Sequence, residues 1–156
     1  MYKNLKPLVI SLFIPLAIGG LAALLTGGGM DTFSQLNKPL FSPPGWLFPI
    51  AWSILYLLMG LASYLIWDSD VPDRDKRSPL LLYGIQLIVN FIWPILFFSL
   101  SWYLVSFLWI LLLWILILLT TVKFYGISSR AGDLMLPYLL WVTFAAYLNW
   151  GIYQLN

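Results

Sequence analysis

The chain has 156 residues, 62% of them hydrophobic and only 9% charged, against about 45–50% and about 25% in soluble domains. That balance excludes a soluble globule, and the absence of Cys and His removes disulfides, thiol catalysis, zinc sites and the ordinary axial ligands of haem. A formal net charge of +2 is too small to argue for nucleic acid as a partner.

A helix needs ~20 mainly apolar residues to cross a ~30 Å hydrocarbon layer. The chain offers such stretches at about 7–26, 45–67, 79–99, 101–122 and 134–154. The expected fold is therefore an all-α membrane protein: one transmembrane domain over residues 1–156, a five-transmembrane-helix bundle with a long loop between helices 1 and 2. The first stretch comes after Lys3 and Lys6 in the manner of a secretion signal, but it is too long for a signal's apolar region and reads as a span. Within it Gly19, Ala23 and Gly27 recur every four residues, a spacing that lets helices approach closely, either inside the bundle or across a homodimer.

The loop TGGGMDTFSQLNKPLFSPPG comes next. Its glycines supply a hinge, Asp31 or Thr32 is placed to cap a short helix through Asn37, and three prolines stiffen the remainder of the loop. It is long enough to fold back over the bundle as a lid, with an ordinary long loop as the alternative. The second span then carries Trp52, Tyr56, Gly60, Ser63 and Trp67 along one stripe at intervals of three and four.

The connector DSDVPDRDKRS reads as a solvated loop. In the third span, Tyr83, Gln86, Asn90, Trp93 and Phe97 share a face, so two primary amides stand one turn apart in otherwise apolar surroundings. Only Ser99, Leu100 and Ser101 separate it from the fourth span, which requires a tight antiparallel hairpin with Trp102 and Tyr103 at headgroup level. The fourth span has almost no polar stripe and suits a wall turned toward lipid. The fifth repeats the aromatic-plus-polar pattern with Tyr138, Trp141, Ala145, Asn149 and Tyr153.

Three such stripes favour a shared cavity over simple interhelical gluing, because small-molecule pockets combine apolar walls with a few orienting polar groups. Tryptophan faces suit flat aromatic ligands, and Gly60 and Ala145 leave room. No Asp, Glu, Lys or Arg falls inside a span, which disfavours ion-coupled transport. No carboxylate pair, activated nucleophile or metal cluster can be assembled for hydrolysis.

Charge distribution orients the chain. Lys3, Lys6, Arg74, Lys76, Arg77, Lys123 and Arg130 share one side and Lys38 alone holds the other, which in a plasma membrane places the N-terminus in the cytoplasm and the C-terminus outside.

The runs LNKPLFSPPGWLFPIAWSILYLLMG (36–60), YGIQLIVNFIWPILFF (83–98) and LPYLLWVTFAAYLN (136–149) resemble the translocator protein family, TspO, also called the peripheral-type benzodiazepine receptor. The likeness covers nearly the whole chain. It implies a five-helix bundle, often a homodimer, whose first loop covers a pocket for porphyrins such as protoporphyrin IX, for haem and for benzodiazepine-site ligands. No cofactor is required; the tetrapyrrole is the ligand. Carried onto this chain, the family's pocket falls on Trp52, Asn90, Trp93, Trp141, Ala145 and Leu148, and the stripes add Tyr56 and Gln86.

The resemblance also implies light-dependent oxidative porphyrin breakdown in bacterial members, for which Trp52 and Trp141 are the catalytic candidates. The alternative is a translocator or sensor of porphyrins or other hydrophobic small molecules. In that setting a tetrapyrrole would stack on Trp52 and Trp141, with an amide of Asn90 or Gln86 at its edge and its propionates toward headgroups near Lys38. One departure bears on sterols: the last segment, LNWGIYQLN, lacks the basic residue that closes the family's cholesterol-recognition pattern. That puts sterol binding there in doubt, and the looser match at Val122–Arg130 is a weak pattern.

Overall fold

The computed structural model describes residues 5–27 and 29–156; Lys3, one of the orienting charges, and Gly28 of the glycine hinge lie outside them. The described residues form helices and no strands. These are α1 (Leu5–Leu25), the short α2 (Gly29–Gln35), α3 (Leu47–Trp67), α4 (Asp73–Pro94), α5 (Tyr103–Tyr125) and α6 (Ser129–Leu155). All but α2 are long and apolar enough to cross a membrane, giving five spans once α4 is followed through Ser99. The chain is a multi-pass integral membrane protein with the expected helical architecture.

Helix ends reflect local chemistry. Ser128 is extended, and its hydroxyl accepts from the Ala131 N–H at 3.3 Å, opening α6 some five residues before the apolar stretch begins. At α4 the outcome differs from expectation, because the charged connector is partly helical from Asp73 onward. Pro72, itself extended, precedes the helix, and Asp73 and Asp75 lie in the first turn, where carboxylates suit the positive end of the helix dipole. The short helix of the first connection also differs. It begins at Gly29, so Asp31 stands in its first turn instead of capping it, and it stops at Gln35, short of Asn37.

Pro94 shapes the other end of α4. Lacking an N–H and crowding the carbonyl one turn back, it breaks the regular ladder. Over Ile95–Ser99 the chain widens into a π turn, in which the Leu100 N–H reaches Ile95 O at 3.0 Å. The hairpin to α5 closes at Ser101, whose φ of 54° lies in the left-handed region.

Around the bundle, α1 lies along α3 and touches α4, α3 also packs on α6, and α5 fills the space between α4 and α6. The buried face of α5 includes Ile110, Leu113, Ile117 and Phe124, while Leu108, Leu112, Ile115 and Leu119 point outward. It is the lipid-facing buttress that its sequence suggests. Gly60 does not open space. A Cβ there would meet Ser11 O at 2.6 Å and Leu12 Cα at 3.0 Å, so its role is close approach of α1 to α3.

Candidate ligand-binding cavity

Between α1, α3, α4 and α6 lies a cavity of about 550 Å³, within the ~300–1,000 Å³ range of small-molecule pockets. All its lining residues belong to one half of the bundle, from Tyr56 and Asn90 outward to the end that carries α2. Of the residues singled out from sequence, Trp52, Tyr56, Asn90, Trp93, Trp141, Ala145 and Leu148 line it.

Gln86 does not. It is wholly buried one turn deeper, where its Oε1 accepts from Tyr138 Oη at 2.7 Å and its Nε2 stands 4.0 Å from Met59 Sδ. The helical stripe that joins Gln86 to Asn90 runs along the whole membrane normal, whereas the cavity occupies part of it. Tyr83 is likewise buried in the core, its ring 6.0 Å from that of Phe124. Trp67 and Tyr153, at the far ends of their stripes, are exposed.

A hydrogen-bonded layer forms the cavity's floor. Tyr56 Oη donates to Asn90 Oδ1 at 3.1 Å, Asn90 Nδ2 donates to Tyr138 Oη at 2.6 Å, and Tyr138 passes its own proton to Gln86. Three helices are thereby tied through groups that would be costly to bury alone. A second link supports the wall: Trp93 Nε1 donates to Asn149 Oδ1 at 3.0 Å, and Asn149 Nδ2 donates to Tyr103 O at 2.9 Å. The amides thus do both things weighed from sequence. Asn90 and Asn149 glue helices and also face the cavity, while Gln86 only glues.

The aromatic wall has a definite geometry. Trp52 and Trp141 approach to 6.4 Å between ring centroids, but their planes are 87° apart. One flat ligand therefore cannot stack on both; lying on one indole, it meets the other edge-on. Trp52 is closer to parallel with Tyr56, at 5.6 Å and 30°. Trp141 Nε1 is buried with no hydrogen-bond partner among the described residues, an unspent donor beside the cavity.

Sequence reasoning offered the first connection as a lid but named none of its residues on the wall, and it did not place α1 there. Phe33 on α2 is buried, packs edge-on against Phe48 at 5.0 Å, and closes the outer end together with Asp31. Gly19 and Ala23 of α1 line the near wall. A Cβ on Gly19 would strike the Tyr56 ring at 2.2 Å, so at that position the small-residue row works within the chain. The signal for α1 was that row; its partner could not be read from spacing alone.

The connection is fastened to the end of α6. Asn156 Nδ2 donates to Asn37 O at 2.8 Å, the Asn37 N–H donates to Asn156 Oδ1 at 3.2 Å, and Tyr147 Oη donates to Leu40 O at 2.8 Å. Pro39 lies so close to Gly151 that a Cβ there would meet its ring at 2.5 Å. Lys38 is not on the cavity wall. Its ammonium donates to Ser34 O and Leu36 O at 3.3 Å each and sits over the Phe33 ring at 5.1 Å.

Comparison with known proteins matches residues 11–155 to the TspO/MBR family. The chain is similar to the tryptophan-rich protein TspO of Archaeoglobus fulgidus, with 40% identity over 98% of this chain and 99% of that one. It is 36% identical to the tryptophan-rich protein TspO of Chlorobaculum tepidum over 100% and 99% of the two chains. The translocator protein of Homo sapiens is 37% identical over 83% of this chain and 78% of its own length. With a helical bundle, an aromatic cavity and a match across nearly its full length, the chain belongs to the TspO/MBR family.

Proposed function

We propose that the protein binds a flat, mostly apolar ligand of the tetrapyrrole class, protoporphyrin IX or haem, and related benzodiazepine-site molecules, inside this cavity. The observation that carries the reading is the cavity itself, with indoles from α3 and α6 on its walls and the Asn90 amide at its floor. The macrocycle lies on one indole with the other against its edge. The residues fit the macrocycle better than a metal. The chain contains no His or Cys, and Tyr56, the only phenol on the wall among the described residues, already shares its hydroxyl with Asn90. Haem would thus be held by faces and edges, with no strong axial ligand.

Titration with protoporphyrin IX, followed by tryptophan fluorescence, tests this. Saturable quenching is expected, weakened at least tenfold in a Trp52→Phe, Trp141→Phe double variant; unaltered affinity in that variant removes the proposed platform.

The contact of Trp52 with both Trp141 and Tyr138, at 6.4 and 6.2 Å, favours a second reading, light-dependent oxidation of the bound ring. Dioxygen takes the electrons and the macrocycle loses its conjugation, while the adjoining indoles pass charge. Bleaching under illumination in air should then exceed that under argon and that of free porphyrin. By charge asymmetry, the cavity opens toward the outside of a bacterial plasma membrane, with the N-terminus in the cytoplasm. The homodimer implied by family likeness belongs to the same proposal.

A further inference from the structure

The charge at the covered end of the cavity has a sign. Asp31 is the only formally charged side chain among the described residues that line it, it stands in the first turn of α2, and no ion pair neutralises it among those residues. Lys38, the other charge on this side of the membrane, is occupied with the carbonyls that end α2 and lies off the wall. The remaining polar groups offer little to an anion. The hydroxyls of Thr26 and Ser53 donate to Ala22 O and Pro49 O, and that of Tyr56 donates to Asn90. The amides on the wall are neutral, and Asn90 and Asn149 each already donate an N–H within the protein.

We infer that Asp31 selects ligands by charge at this end, holding a flat macrocycle whose edge is uncharged or cationic there better than one that presents carboxylates. Coulomb repulsion across ~8–12 Å, at the effective dielectric of ~20–40 suited to an interface, corresponds to a preference on the order of tenfold, reduced by salt. An acidic porphyrin must then turn its propionates away from Asp31, while an esterified or amine-bearing one is free of that constraint. The inference rests on the tetrapyrrole reading and adds the feature by which this chain discriminates among such ligands.

The test uses the full chain in nanodiscs of zwitterionic lipid, titrated with protoporphyrin IX and with its dimethyl ester. Partition into lipid differs between the two probes but cancels in the ratio of variant to wild type. Asp31→Asn should tighten binding of the diacid on the order of tenfold at low salt and leave the ester within about twofold; the difference should shrink at high salt. Asp31→Glu should restore wild-type discrimination, and Lys38→Gln should leave the ratio within about twofold. Binding of both probes with no dependence on Asp31, or a larger effect from Lys38→Gln, overturns the inference while leaving the tetrapyrrole site standing. Saturable binding of neither probe overturns both.

Discussion

Tyr138 shows how a single hydroxyl joins structure to function. Its oxygen accepts from Asn90 and its proton goes to Gln86, with the ring wholly buried. Tyr138→Phe strands an amide N–H and an amide carbonyl among buried groups. The expected cost is about 1–3 kcal/mol, read as a lower midpoint in denaturant titration of the detergent-solubilised protein. Ala145 tests the opposite quantity, space. Nearly buried and on the cavity wall, it should reduce the affinity of bulky ligands several-fold when changed to Thr, with little change in unfolding; equal affinity would place the ligand elsewhere. Legibility from sequence was high for such residues wherever the periodicity was aromatic plus polar. It failed at Gln86 because spacing assigns a residue to a face and says nothing of its depth along the membrane normal.

At the scale of elements, two close approaches decide how the cavity is walled and covered. Gly60 brings α3 against the backbone of α1, a contact no side-chain rotation can relieve. Gly60→Ala should destabilise the bundle by roughly 1–3 kcal/mol, detectable as a lower thermal midpoint, because one methyl pushes on a carbonyl oxygen. The covering connection depends on α6 in another way, through Asn37, Pro39 and Leu40 meeting Asn156, Gly151 and Tyr147. Asn156→Ala removes the side-chain clasp. Amide hydrogen exchange over residues 33–40 should then accelerate while α5 remains protected; unchanged exchange would mean that Pro39, Tyr147 and the Asn37 side chain on Leu155 O suffice to fasten it. Neither pairing has a local signature, since each joins residues far apart in the chain, Gly60 with Ser11 and Asn37 with Asn156.

For the whole molecule, the decisive feature is that the cavity occupies one half of the bundle and is floored by the Tyr56–Asn90–Tyr138–Gln86 layer. Below that layer lie fully buried residues such as Met59, Ile66 and Met135. Vesicles bearing the protein should therefore load with labelled porphyrin without equilibrating it across the bilayer faster than protein-free vesicles. Clear acceleration would require the floor to open and would revive the translocator reading.

The division between what the sequence determined and what folding added comes from the range of the forces involved. Hydrophobic length set the five spans, although α4 and α6 begin earlier, at Asp73 and Ser129, than their apolar stretches, and 3.6-residue periodicity gathered the aromatic and amide side chains onto faces. These are local consequences of covalent order and solvent. Only the tertiary structure decided that Trp52 and Trp141 meet at right angles, that Gln86 serves the floor and not the wall, and that Asp31 borders the cavity while Lys38 does not. Those outcomes depend on helix rotation, depth and crossing, which packing between distant segments fixes.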